Sequence, residues 1–285
     1  MPPRIAIPMP HFSDPEYAER AIPQYERAIA MGGGEPVRIP LDRTPEEISK
    51  IVEHCDAVLL PGSKADVDPV RFHAERSPHT AAADPRRDVV DNLLLDDAHR
   101  LRKPVLGICY GLQSLNVYRA GSLVQHIPDF LPAETRAKVN HEAGGKIAVA
   151  HEVEIDPASK LAEIVGPSTG IKVVLDEKNV HEKNREGHSF SRAASTTESE
   201  RALAPEGILV LPVNSSHHQS ADAVGNGLRV VARCTADGII EALEGTAPDH
   251  FVLAVQWHPE RSAEEDAASR AIFRALLDAA KSRRR

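Results

Sequence analysis

The chain of 285 residues is 41% hydrophobic, enough for a substantial core, and its 22 prolines and 17 glycines imply many punctuated loops. A formal net charge of −8 weighs against nucleic acid or an anionic membrane as the main partner, and no apolar run approaches the roughly 20 residues that span a bilayer. Three widely spaced cysteines, Cys55, Cys109 and Cys234, suggest neither a disulfide framework nor a zinc site. MPPRIAIPMP is too short and too proline-broken to act as a signal peptide, so a reduced, cytoplasmic setting is expected.

RIAIP (4–8) reads as a short apolar strand. A helical stretch that includes YAERAIPQYERAIAMGG follows, and the run Gly32-Gly33-Gly34 supplies its stop. PVRIP (36–40) is a second strand. TPEEISKIVEHC (44–55) starts with a threonine cap, a proline next to it and two acids in the first turn, which together mark a helix N-terminus. DAVLLPGS (56–63) is a strand running into a proline-glycine turn. Over 84–104, Val89, Leu93 and Leu94 give helical spacing that ends before Pro104, with Asp84 and Asp88 as candidate caps. VLGI (105–108) is a buried strand, and the helix after it stops at Ala120-Gly121. Strand and helix signals alternate through residues 4 to 121, the pattern of a parallel sheet covered by helices on both faces.

The second half reads differently. HEVEID (151–156), GLRVVARC (227–234), IIEALEG (239–245) and FVLAVQW (251–257) are strands with few helices between them, and a helix over 264–282 closes the chain. Residues 168–206 are polar, charged and poor in aromatics, and are expected to form a flexible surface insertion. Arg283-Arg284-Arg285 reads as a solvated tail. The whole, 1–285, is expected to be a single α/β domain of flavodoxin-like or Rossmann-like three-layer α/β/α build, with a mostly parallel central sheet.

In GICYGLQS (107–114), Cys109 sits where a buried strand meets a helix. A structural thiol would be buried there without further role. A nucleophile would instead gain from a tight strand-to-helix turn near the positive end of a helix dipole. A cysteine nucleophile needs a base, and the base needs an orienting group. QWHPE places His258, Pro259 and Glu260 directly after the strongest strand of the second half. Residues i and i+2 project to one side of an extended chain and proline stiffens the step, so Glu260 could fix the imidazole of His258 facing the thiol.

GICYGLQ, QWHPE and LPGS together resemble the class I glutamine amidotransferase family, whose hallmark is Cys-x-Gly-x-Gln with His-Pro-Glu near the C-terminus. LPGSKADVDP (60–69), DPRRD (84–88), AHEVEI (150–155) and VNSSHHQS (213–220) are similar, in order, to the branch of γ-glutamyl-γ-aminobutyrate hydrolases, and the resemblance covers nearly the whole chain outside the insertion. It implies a cysteine hydrolase acting through a γ-glutamyl thioester, with Cys109 as nucleophile, His258 as acid and base, and Glu260 as orienting acid. Backbone N–H groups of Gly62, Ser63 and Tyr110 would form the oxyanion hole. Gln113, one turn beyond Cys109 on the same helix face, and Ser215, Ser216 and His217 would hold the glutamyl group. The family turn usually reads Pro-Gly-Gly where this chain has Pro61-Gly62-Ser63, so Ser63 must reach the required backbone angles without glycine's freedom. The helix after the nucleophile usually ends Gly-Gly before serine, and here Ala120-Gly121-Ser122 stands.

No cofactor and no metal are expected. His217 and His218 are neighbours in a polar turn and would need metal ligands from elsewhere; His141, His151, His181 and His188 lack regular ligand spacing and are expected on the surface or satisfying loop backbone. Cys55 and Cys234 are expected to be small core residues. The expected partner is a small γ-glutamyl substrate, without nucleic acid or membrane, and a homodimer stays open. Two alternatives remain: a glutaminase subunit passing ammonia to a separate synthase, and a catalytically silent binding protein on the same fold. A panel of γ-glutamyl amides that includes glutamine discriminates among the three.

Overall fold

The alternation in the first half builds one end of a ten-stranded sheet. The computed structural model describes residues 1–166, 172–174 and 208–284. Strands β1 (Arg4–Pro8), β2 (Glu35–Ile39), β3 (Ala57–Leu60) and β4 (Val105–Ile108) are linked by helices α1 (Pro15–Met31), α2 (Pro45–Glu53) and α3 (Pro85–Leu101), and β4 leads into α4 (Tyr110–Tyr118). Then follow β5 (Leu123–Val124), α5 (Ile127–Phe130), α6 (Ala133–Arg136), β6 (His151–Ile155), α7 (Lys160–Val165), β7 (Lys172–Val174), β8 (Ile208–Val213) and β9 (Ser220–Ala221). Strands β10 (Leu228–Cys234), β11 (Ile240–Gly245) and β12 (Val252–Val255), with α8 (Ala267–Arg283), complete the described chain.

The sheet order is β2-β1-β3-β4-β12-β11-β10-β6-β8-β7. The five strands from β2 to β12 are parallel, and from β12 outward every pairing is antiparallel. Side chains alternate across the parallel strands, because successive residues of a strand point to opposite faces. Ile5, Ile7, Leu59 and Leu106 join a core with α1 and α8, whereas Ala6, Val58, Leu60 and Val105 join a second core with α2, α3 and α4. This is the three-layer α/β/α arrangement expected from the sequence.

Local signals explain the helix ends. Thr44 and Glu47 form a capping box at α2, and Asp84 caps α3 by accepting from the Arg87 N–H. Asp88 does not cap α3; it turns into the structure and accepts from the Tyr110 hydroxyl at 2.8 Å. Two expectations change at the second half. The insertion contains an edge strand, since Lys172–Val174 pairs with β8; its other positions lie outside the described residues, with His181 and His188 among them. The expected arginine tail is anchored instead: α8 runs to Arg283, and Arg284 binds Asp56 at 2.6 Å and the Met1 carbonyl at 2.9 Å. Among the described residues no helix is long and apolar enough to cross a membrane.

Candidate active site

β4 and β12 are parallel neighbours in register, Ile108 opposite Val255, so the segments that follow them emerge at one edge of the sheet. In open α/β sheets that carboxyl edge is where ligands bind. Cys109 follows β4 directly and opens α4 with φ 52° and ψ −106°, a left-handed, strained conformation for a residue with a side chain. The turn is tight because α4 lies against β3: a Cβ on Gly111 would come within 2.2 Å of the Leu60 carbonyl oxygen. The glycine of GICYG is therefore a packing requirement of the turn that presents Cys109.

Past β12, His258 is held by backbone and side chain alike. Asn214 clasps its main chain, donating to the His258 carbonyl and accepting from the His258 N–H, both at 2.9 Å. His258 Nδ1 lies 2.7 Å from Glu260 Oε1, and the ring shares its cleft with Cys109. Burial alone would pull His258 down; the charges of Glu260 and Cys109, with the hydrogen bond to Glu260, outweigh it and hold the imidazole at about 9. The step between His258 and Glu260 is not extended as expected. Pro259–Arg261 forms a short 3-10 turn, and that turn curls the carboxylate back under the ring.

Gly62 approaches the same point from β3. A Cβ there would sit 3.2 Å from His258 Cε1 and 3.1 Å from the Tyr25 hydroxyl. The Gly62 N–H donates to that hydroxyl at 3.0 Å, so it is committed and departs from its expected oxyanion role. Ser63 takes no positive φ, which removes the concern about glycine at this position. The Tyr110 N–H lies in the first turn of α4, where amides have no intrahelical acceptor.

Cys109 and His258 open onto a cleft of about 300 Å³ whose wall includes Ser63, Gln113, Ser216 and His217. Gln113 Nε2 donates to the Gln219 carbonyl at 3.2 Å and to Gln256 Oε1 at 3.3 Å, which sets its amide in place. Two expected substrate contacts are turned to other work. Ser215 is fully buried and donates to Glu241 at 2.9 Å, and both ring nitrogens of His217 are engaged, with the Gln219 carbonyl and with Glu241. Sequence patterning does not single out Tyr17, Lys64, Asp66, Glu142 or Arg261, which also line the cleft, beside His218. Burial pushes the Tyr17 phenol up to about 12, with the Cys109 and Glu260 charges adding to it, so it faces the cleft as a hydroxyl.

Behind the cleft, Arg87 is fully buried. It pairs with Asp91 at 2.6 Å, donates to the Pro61 carbonyl at 2.8 Å and to the Pro10 carbonyl at 3.1 Å, and lies over the Tyr110 ring. It thereby ties the turn before Gly62 to the residue after Cys109. Asn214 and Arg87 stand within the motifs VNSSHHQS and DPRRD, and the concentration of polar side chains in those two stretches is the signal that points to them. Cys55 and Cys234 are buried, as expected. His141 and His151 are not on the surface: both are buried, drawn inward by carboxylates.

A three-layer α/β fold with this site at the carboxyl edge of its parallel strands defines a protein of the glutamine amidotransferase-like class. A glutaminase domain of CTPS from Trypanosoma brucei, solved with bound acivicin, superposes with a TM-score of 0.53 at 17% identity, over 98% of this chain and 94% of that one. The chain belongs to the peptidase C26 family, whose model matches residues 8–175 and 171–260. The γ-glutamyl-γ-aminobutyrate hydrolase PuuD of Escherichia coli K12 is 30% identical over 261 residues, covering 90% of this chain and 84% of its own. A Rickettsia prowazekii protein named as glutamine amidotransferase-like is 30% identical over 273 residues, covering 94% of this chain and 90% of its own.

Proposed function

We propose that this chain hydrolyses γ-glutamyl amides by covalent catalysis at Cys109, releasing glutamate and an amine. The observation that carries the reading is the strained Cys109 sharing one cleft with a histidine that Glu260 holds at 2.7 Å and orients. The Cys109 sulfur, as thiolate, attacks the γ-carbonyl carbon. The C–O π electrons move to oxygen, which the Ser63 and Tyr110 N–H groups face. Collapse breaks the C–N bond, and His258 gives its proton to the departing amine, leaving a γ-glutamyl thioester on Cys109. His258, now neutral, takes a proton from water as the hydroxide attacks the thioester carbon. Thiolate leaves, glutamate is freed, and the imidazolium is restored. Glu260 keeps the ring in one tautomer throughout and offsets its charge.

The cleft supports a glutamyl group at the acyl side. A glutamyl α-carbon carries an ammonium and a carboxylate, and the wall offers both signs, Arg261 and Lys64 together with Glu142 and Asp66. The relative in Escherichia coli named for γ-glutamyl-γ-aminobutyrate hydrolysis points to an amine larger than ammonia as leaving group. The test is the isolated chain against a panel of γ-glutamyl amides, γ-glutamyl-γ-aminobutyrate and glutamine among them. Turnover of a γ-glutamyl amine without any added protein, faster than of glutamine, is expected. Inertness on the whole panel, with glutaminase activity appearing only when a synthase is added, would move the chain to the ammonia-delivering subunit class.

A further inference from the structure

Three histidine rings converge on one carboxylate oxygen at the foot of the turn that walls the Cys109 cleft. His141 Nδ1 and His217 Nε2 each lie 3.1 Å from Glu241 Oε1, and His151 Nε2 lies 3.2 Å from it. All four side chains are buried, and their four ligand atoms lie within 4.8 Å of one another. The chemistry proposed at Cys109 asks nothing of them.

Each group is held from behind. Asp237 Oδ2 stands 2.8 Å from His141 Nε2, the Gln219 carbonyl 2.8 Å from His217 Nδ1, and the Glu152 carbonyl 3.4 Å from His151 Nδ1. Ser215 donates to the other Glu241 oxygen at 2.9 Å. A carbonyl oxygen only accepts, so the first proton of His217 and of His151 sits on Nδ1. Asp237 likewise draws the first proton of His141 to Nε2. Every remaining nitrogen therefore turns either a lone pair or a second proton toward Glu241 Oε1.

Protons do not resolve this arrangement. A carboxylate oxygen has about two acceptor positions, and three nitrogens approach this one. His151 Nε2, on a side chain only 4% exposed, makes no hydrogen bond despite its distance. With all three rings protonated, three positive charges face the two carboxylates of Glu241 and Asp237, and balance would require the buried Cys234 beside them to be a thiolate as well, crowding six charges into a dry site at high cost. With two protonated the charge balances, but the third ring's lone pair then points at the lone pairs of the oxygen.

A divalent cation satisfies both conditions. Three neutral imidazoles and one carboxylate all aim lone pairs at it, and its charge matches Glu241 plus Asp237. The size agrees: ligand bonds of about 2.0–2.2 Å in a tetrahedron place ligand atoms about 3.3 Å apart, close to the observed contacts. The outer carboxylate and carbonyl partners are of the kind that orient histidines at metal centres. His141 and His217 also line a second cleft of about 240 Å³ beside α5, which offers an ion a way in.

We propose that His141, His151, His217 and Glu241 bind a divalent transition cation of the zinc class, in a closed site with four protein ligands. Such a site is structural. It pins the 214–219 turn, and with it Ser216 and Gln219 of the cleft wall, onto β6 and β11. Metal analysis of the full chain purified without chelator, followed by stripping with EDTA and titration with Co²⁺ and then Zn²⁺, tests this. The expected result is about one metal per chain, the intense visible absorption of tetrahedral Co²⁺, its displacement by Zn²⁺, and a lower Tm for the stripped protein. Asp237→Asn keeps the ligands and should weaken Co²⁺ ~10- to 100-fold. His126→Ala, which removes the exposed His79, His126 and Asp129 cluster as an alternative, should leave the spectrum intact. His151→Ala should abolish it, and if that variant fails to fold the wild-type titration still decides. Wild-type protein that binds neither ion, or binds Co²⁺ only with a weak octahedral spectrum, or loses its spectrum in His126→Ala, overturns the proposal.

Discussion

Glu260→Gln keeps the shape of the side chain under His258 and removes its charge. In the wild type His258 stands at about 9 against an ordinary 6.5. At about 1.4 kcal/mol per pKa step, that difference is roughly 3 kcal/mol of preference for the imidazolium, achieved although burial of the ring works against it. Without the Glu260 charge only Cys109 opposes the burial of the ring, so His258 should titrate well below its wild-type value, and kcat/KM on a γ-glutamyl amide should fall by up to ~10⁴-fold, as for loss of the acid in a comparable triad. Two pH profiles read the cause separately from the rate. Protonated His258 must deliver a proton to the leaving amine, so wild-type kcat/KM should decline as pH rises through about 9, and in the variant that limb should move well to the acid side. Stability follows the same linkage. A group whose pKa is raised on folding stabilises fully below its unfolded value and loses that contribution as pH rises through its folded value, so wild-type Tm should drop between pH 6.5 and 9 relative to the variant. A basic limb that stays near 9 in Glu260→Gln, with parallel Tm profiles, would show that Glu260 does not set the charge state of His258 and would refute the mechanism.

Cys109→Ala should remove turnover with little change in Tm. Limited alkylation read by mass spectrometry should modify Cys109 and spare Cys55, whose thiol burial pushes up to about 11. Asn214→Ala loses both hydrogen bonds that clasp the His258 main chain, at ~1 kcal/mol each, and should lower kcat ~10- to 100-fold with a smaller change in KM. Gly111→Ala forces a methyl to 2.2 Å from the Leu60 carbonyl and should leave little folded protein by circular dichroism, whereas Gly33→Ala, with nothing within 4 Å but φ 82°, should cost only about 1 kcal/mol. Arg87→Met leaves Asp91 buried without its partner and should cost ~3–5 kcal/mol in denaturant unfolding; adding Asp91→Leu should recover part of it.

The parallel half of the fold is legible in the sequence because its central strands, β3, β4 and β12, are buried on both faces. AVLL and VLGI are unbroken apolar runs between turn signals, and Thr44 and Asp84 carry the caps that start the helices after β2 and before β4. The elements that escape are those whose signal is short or masked by neighbours. Helix α7 has six residues, less than two turns, and gives no period to read. Strand β8, ILVLPV, contains Pro212 and directly follows a long polar stretch, so composition pulls it toward loop. Its place in the sheet comes from pairing with β6 and β7, which no local pattern contains.

The site divides along the same line. Cys109 and His258 are legible because each closely follows a strand, and a nucleophile and its base have chemical identities that stand out just past strand ends. The residues that hold them are defined by contacts across the chain: Tyr25 reaches Gly62 over 37 positions, Arg87 reaches Pro61 over 26, and Asn214 reaches His258 over 44. The histidine cluster is the extreme case. His141 comes from the chain before β6, His151 opens β6, His217 lies in the turn after β8, and Glu241 is on β11, with β10 between the two strands. Ligand spacing along a sequence can reveal a metal site only when one helix or one tight loop supplies several ligands, as in the short motifs of zinc fingers. Here each ligand arrives on a different segment. Register does the work that spacing does elsewhere: His151 pairs opposite Val213, which sets the ring at the start of the turn carrying Ser215 and His217. The same antiparallel ribbon therefore fixes the cluster and the wall of the cleft. For that reason the most informative residues outside the triad lie in the half of the chain whose strands carry no helices between them.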